Sequence, residues 1–319
     1  MNASPKERAE PCRTANVIGS MGQSMRWAEG FIAVDWGTTN RRAYLIDGAG
    51  KRGDEFEDGN GILSVPKDGF PEAVAEIRDR LGDKPMLMAG MIGSNRGWVE
   101  VPYVSCPAGL DNLAEGLAWP EAGRTAIVPG VSYLTSSRAD VMRGEEVQIL
   151  GAVESRMVPR DCLVCHPGTH NKWIHVDDGR IVTFRTVMTG ELFSLLKKHS
   201  ILSDLLSREV DADQAFRDGI RAGLSSGGLT SDLFSVRAGV LLGRARAEDA
   251  ASFTSGLLIG ADLRAGIAIA ADAEIIVMGR PELTRLYVAG LEEAGKSSRE
   301  IDGDDAFLAG IIQITERIA

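Results

Sequence analysis

Two stretches decide how this chain is read: GTTNRRAYLIDG, residues 37–48, and GTHNKWIHVDDG, residues 168–179. Laid side by side without a gap, they match Gly37 to Gly168, Thr38 to Thr169, Asn40 to Asn171, Asp47 to Asp178 and Gly48 to Gly179, with the cation Arg41 against Lys172. Either turn alone is ordinary, because Gly, Asn and Asp are what hairpin turns use in any protein. The surroundings carry the argument. FIAVDWG is an apolar run stopped by Gly37, RRAYLID is its return, and a further turn follows at DGAGKRGDE. DCLVCHPG ends at Gly168, KWIHVDDG returns, RIVTFRTV is a third strand, and TGELFSLLKKHS reads as a helix. The order strand, glycine turn, strand, turn, strand, helix is thus written twice.

Working outward, FPEAVAEIRDRLG places Phe70, Val74, Ile77 and Leu81 on one helical face with Gly82 as its stop, and PMLMAGMIG is a buried strand. DVMRGEEVQILGAVES predicts a helix with Met142, Ile149, Leu150 and Val153 on one side and Asp140 as its N-cap. Later come an Ala-rich helical stretch over about 244–271, a strand EIIVMG and a closing helix from Pro281. Duplicated hairpin-plus-helix units imply two similar α/β domains facing each other across a cleft. The expected division is 27–155 and 156–319, after a polar, weakly ordered leader over 1–26. A ligand between the two turns would be held by backbone N–H groups and by Thr and Asn side chains, donors suited to phosphate oxygens.

The 319 residues are 44% hydrophobic with a formal net charge of −10. That balance argues against a nucleic-acid or anionic-membrane surface, either of which calls for a basic stripe. Four cysteines, at 12, 106, 162 and 165, are too few and too unevenly spaced for a disulfide framework, so a reducing cytoplasm is expected. No run approaches the ~20 apolar residues of a membrane span.

The repeated motifs resemble the sugar-kinase, actin and heat-shock ATPase superfold: DWGTTNRR its first phosphate motif, HPGTHNKW its second. A closer resemblance, from about residue 30 onward, is to the 2-dehydro-3-deoxygalactonokinase family. It is carried in order by DWGTTNRRAYLID, MAGMIGSNRGWVEVPYVSCPAG, VPGV, DVMRGEEVQILGA, CHPGTHNKWI, TGELFSLL, SGLLIGADLR and MGRPELTRLY. The resemblance implies an actin-like fold of two ribonuclease H-like domains clamping ATP. It also implies phosphorylation of the 6-hydroxyl of 2-dehydro-3-deoxy-D-galactonate, in galactonate catabolism. Gly279-Arg280 departs from the glycine and small residue expected near adenosine.

Phosphoryl transfer needs a base, a metal over the β- and γ-phosphates and donors around the moving group. The expected base is Asp140, whose place between the two phosphate hairpins matches the catalytic aspartate of related sugar kinases; a plain helix cap is the other reading. Asp35, at the end of the first strand, is the expected Mg²⁺ residue, through water. Gly37, Thr38, Thr39, Asn40 and Arg41 on one side and Gly168, Thr169, Asn171 and Lys172 on the other are the expected ATP contacts, with Gly279 near the nucleoside. In GSNRGWVEVPY, Arg96 is the fork suited to a carboxylate, Asn95 and Glu100 suit hydroxyls, and Trp98 suits a sugar face; the stretch also reads as a packed polar loop.

Two motifs mislead. CLVCH, 162–166, matches the haem-attachment pattern, which belongs to exported proteins, and no signal peptide is read here; Cys162, Cys165, His166 and His170 lie within nine residues, tighter than usual zinc spacing, so Cys162 and Cys165 read as strand residues. GLEEAGKS, 290–297, spells a phosphate-loop pattern but follows helical sequence and carries Glu292 and Glu293, so it reads as a helix end. Besides the kinase, two other classes stand: a sugar-sensing regulator on a kinase fold, and an ATPase that transfers phosphate only to water. Oligomeric state is left open.

Overall fold

A computed structural model describes residues 27–318; the leader expected over 1–26 lies outside them. The chain opens with the hairpin β1 (Gly30–Trp36) and β2 (Arg41–Asp47), extended by β3 (Arg52–Asp58). Helix α1 (Phe70–Leu81) has a proline in its first turn, where no N–H is needed, and buries Phe70, Val74, Ile77 and Leu81. It leads to β4 (Met86–Gly90), parallel to β1. Then come β5 (Val104–Ser105), α2 (Leu110–Glu115), β6 (Ala118–Glu121), β7 (Thr125–Ile127), β8 (Val131–Leu134), β9 (Ala139–Met142) and α3 (Glu145–Glu154).

The pattern restarts with β10 (Cys162–His166), β11 (Asn171–Asp177), β12 (Arg180–Val187) and α4 (Thr189–His199). Five helices and two strands complete the described residues: α5 (Gln214–Ser225), α6 (Leu229–Leu241), α7 (Ala250–Ile267), β13 (Ile275–Gly279), α8 (Pro281–Glu293), β14 (Ser298–Asp302) and α9 (Gly303–Ile318). The two large sheets have strand orders β3-β2-β1-β4-β7-β6 and β12-β11-β10-β13-β14. In both, an antiparallel hairpin is followed on its inner side by a parallel strand, as the duplicated motif requires. A third sheet, β5-β8-β9, stands beside them.

Strand alternation assigns each sheet two buried faces. On β1, Ile32, Val34 and Trp36 pack with α1, while Phe31 and Ala33 face the other half. On β10, Leu163 and Cys165 pack with the outer helices, while Cys162 and Val164 face inward. The inward residues of both sheets join one core with Val147, Leu150 and Val153 of α3 and Phe307, Ile311 and Ile314 of α9. Helices α3 and α9 are therefore the filling between the sheets. They cross at van der Waals distance: a Cβ on Gly151 would stand 2.3 Å from the Gly310 nitrogen, and one on Gly310 2.1 Å from the Val147 oxygen.

Several expectations change. The helix expected from Asp140 begins at Glu145, and Asp140 and Met142 are strand residues of β9. The closing helix from Pro281 is two helices, separated by the edge strand β14. GLEEAGKS is the end of α8, with Glu293 paired to Arg217 and Arg221. Cys162 and Cys165 are buried in β10.

Candidate active site

Where the inner core ends, the two hairpin turns frame a cleft of about 900 Å³. Asp35, Gly37, Thr38, Thr39, Asn40 and Arg42 line it from the first half; His166, Gly168, Thr169, His170 and Lys172 line it from the second. Each turn is tied from behind through its carbonyls. Gly37, Thr38 and Thr39 accept from the N–H groups of Ile62, Leu63 and Gly61, and Thr169 accepts from Glu191. The N–H groups of Thr38, Thr39, Gly168 and Thr169 have no hydrogen-bond partner among the described residues. Backbone donors on the cleft side of a fixed turn make an anion cradle.

The strand registers correct the ungapped alignment of the two hairpins. Asp35 pairs with Arg42, whereas His166 pairs with Lys172. The second turn is one residue shorter, so past it Arg42 corresponds to Lys172 and Arg41 to Asn171. A one-residue slip moves a strand side chain to the opposite face. Arg41 is accordingly fully buried away from the cleft, ion-paired with Asp58 at 2.8 Å and Glu76 at 3.2 Å, its guanidinium beside Trp36 and Phe56. Asn171 is likewise fully buried, donating to both oxygens of Asp262 at 3.0 Å. Neither lines the cleft. Its neighbour Arg41 masks Arg42 in the sequence, because the length of the turn, and not alternation counted on from Asp35, decides which of the two arginines shares the cleft face.

Asp140 also leaves the cleft. Its carboxylate accepts from the Thr186 N–H at 2.8 Å and hydroxyl at 2.7 Å, pinning β9 to β12. The carboxylate at the start of α3 that does line the cleft is Glu145, which accepts from the Arg143 N–H at 3.1 Å and lies 3.8 Å from the Lys172 ammonium across the cleft. Behind it, Gln148 Oε1 meets His166 Nε2 at 2.7 Å. Burial lowers the His166 pKa, so the neutral ring donates to Gln148. Asp35 is pushed up to about 6, chiefly by burial and then by Asp304 and Glu145, against Arg42 and Arg280. Asp304 is bonded by Arg42.

Gly279 lines the cleft at φ 151°, where β13 meets α8, and Arg280 beside it contributes a cation. Of the expected sugar-binding loop, Asn95, Arg96 and Glu100 are exposed and Trp98 packs partly against the α1-side core; none lines the cleft. That wall is formed instead by Met91, Tyr103, Val141, Met142 and Arg143.

The sequence profile described as 2-keto-3-deoxy-galactonokinase matches residues 35–314. The 2-dehydro-3-deoxygalactonokinase of Escherichia coli (strain K12) is 36% identical over 292 residues, 91% of this chain and 98% of that protein. A crystal structure of a protein assigned as a 2-dehydro-3-deoxygalactonokinase, from Sinorhizobium meliloti, superposes with a TM-score of 0.84 at 34% identity, covering 89% of this chain and 97% of that one. Component A of the (R)-2-hydroxyglutaryl-CoA dehydratase of Acidaminococcus fermentans shares the fold alone, with a TM-score of 0.51 at 12% identity over 91% of this chain and 98% of that one. The facing sheets with their paired turns and a match over most of the length lead to one assignment: the chain belongs to the 2-keto-3-deoxy-galactonokinase family.

Proposed function

We propose that this chain transfers the γ-phosphoryl group of ATP to the 6-hydroxyl of 2-dehydro-3-deoxy-D-galactonate, giving the 6-phosphate. The observation that carries the reading is the pair of turns facing each other across one cleft, the N–H groups of Thr38, Thr39, Gly168 and Thr169 unpaired among the described residues and the carbonyls of Gly37, Thr38, Thr39 and Thr169 tied back. Arg42, Lys172 and Arg280 add fixed positive charge beside those donors, where phosphate oxygens need it. Glu145 is the proposed base. It projects from the first turn of α3 into the cleft, between the cation Lys172 and the wall of Met91 and Tyr103. In that place it takes the proton of the attacking hydroxyl as the bond to phosphorus forms.

Among the described residues no group of three His, Cys, Asp or Glu side chains is set to hold a metal ion by itself, so the fit is to a cation carried in with ATP. Asp35, its pKa raised by burial first and then by Asp304 and Glu145, offers that cation one carboxylate beside the turns. Asp35 would hold Mg²⁺ with ATP, and the metal would neutralise charge on the β- and γ-phosphates. Closure of the two halves excludes water from the transferring group. The free cysteines 106, 162 and 165 suit a reducing cytoplasm. Among the described residues no helix is long and apolar enough to cross a membrane.

A coupled assay of ADP release with and without the sugar acid tests the reading. Release that depends on 2-dehydro-3-deoxy-D-galactonate, with the 6-phosphate as product, is expected. Equal release in its absence would leave an ATPase instead.

A further inference from the structure

Arg143, between β9 and α3, is 9% exposed and lines the cleft. Its Nη2 donates to the Val101 carbonyl at 2.8 Å, whereas Nε and Nη1 are buried with no hydrogen-bond partner among the described residues. Leaving buried N–H groups of a charged side chain unpaired is costly, and most proteins avoid it. The surroundings are built around the guanidinium. Gly93 makes room beneath it, since a Cβ there would stand 2.8 Å from Nη1. The Tyr103 ring covers its face at 4.3 Å and is itself 41% exposed. Among the described residues no carboxylate forms an ion pair with the Arg143 guanidinium: the nearby Glu145 and Glu146 accept from the backbone N–H groups of Arg143 and Gly144 instead, and Arg143 acts on Glu146 only as a neighbouring charge.

The geometry points to Arg143 as the subsite for the carboxylate of the sugar acid, uncovered by rotation of the Tyr103 ring. This inference rests on the proposed kinase reading and names the anchor of its acceptor. A carboxylate supplies the two acceptor oxygens that the unpaired N–H groups lack, and a guanidinium matches it in shape as well as charge. The cations at the phosphate turns, Arg42 and Lys172, stand on the hairpins, whereas Arg143 stands on the wall with Met91 and Tyr103. Arg143 and Glu145 are two residues apart, so their Cα atoms lie within roughly 7 Å of each other. That reach suits an extended six-carbon acid whose carboxylate is held at one end while its terminal hydroxyl meets the base at the other.

The test compares the full wild-type chain with Arg143→Gln and Arg143→Lys, using calorimetric binding of 2-dehydro-3-deoxy-D-galactonate and of its primary amide, together with steady-state kinetics. In Arg143→Gln the Kd and KM for the acid should rise about tenfold or more while the ATP KM stays within about twofold, and preference for acid over amide should collapse. Arg143→Lys should recover part of the loss. Retained preference for the acid in Arg143→Gln, or a defect confined to ATP, overturns the assignment. If that variant does not fold, Gly93→Ala displaces the guanidinium without removing its charge, and unchanged acid binding there overturns it equally. Wild-type binding of the acid without turnover would sink the kinase reading and leave the subsite standing; turnover with an unchanged acid KM in Arg143→Gln would do the reverse. Wild type that neither binds nor turns over the acid overturns both.

Discussion

Glu145 and Glu146 are neighbours with opposite environments. Glu145 reaches the cleft, whereas Glu146 is fully buried with both oxygens accepting from the Gly144 N–H at 2.8 Å. Glu145→Gln should lower kcat by roughly 10² or more, the scale of general-base loss, with ATP-analogue binding retained. Asp140→Asn, which alters only the tether to Thr186, should leave kcat within about threefold. The reverse ranking in single-turnover kinetics would return the base to Asp140. Burial first, and Glu145 second, push the Glu146 carboxyl from 4.5 up to about 8. Between those two values the folded chain holds a proton that the unfolded chain has released. Its contribution to stability is therefore intact below about pH 4.5 and is lost as pH rises through about 8, at up to ~1.4 kcal/mol per pH unit. Thermal melts from pH 5 to 8 should show a steeper decline for wild type than for Glu146→Gln, and equal slopes would refute the assignment.

For the hairpins, the consequential quantity is register. Arg41→Ala removes a buried cation from Asp58 and Glu76 and should cost about 2–3 kcal/mol of stability. Arg42→Met, on the cleft face, should weaken ATP-analogue binding about tenfold with little change in melting temperature. Melting curves and analogue titration of the two variants decide it; an ATP defect in Arg41→Ala with normal stability would contradict the register. Most of the architecture was legible at this scale, because β1, α1, β10 to β12 and α4 carry clear periods and glycine stops. What stayed hidden had weak signals. SREID of β14 is a polar edge strand without alternation, and LTSDLFSVRAGVL of α6 buries only Leu233 and Val236. ADVM buries Met142 whether drawn as helix or strand, and four residues cannot separate the periods, which misplaced Asp140. Glu145 drew no notice because acids are common in any first helical turn, and the exposed Arg96 displayed a charge that the buried Arg143 concealed.

Across the whole molecule, the inner faces of both sheets, α3 and α9 form one core. Unfolding should therefore be a single cooperative transition, with calorimetric and van't Hoff enthalpies in agreement. Two resolved transitions would show that the halves are stable separately. Chains ending near residue 155 or beginning near 156 should each expose the inward row, Phe31 and Ala33 or Cys162 and Val164, and should self-associate in sedimentation when expressed alone. This bears on ancestry. If the duplicated hairpins descend from one unit, that unit carried an apolar inner face with nothing of its own chain to cover it. The simplest cover is a second identical copy, so the cleft would have begun as the two-fold interface of a homodimer, and fusion of the two genes would later have let one copy exchange aspartate for histidine at Asp35 and His166 without changing the other.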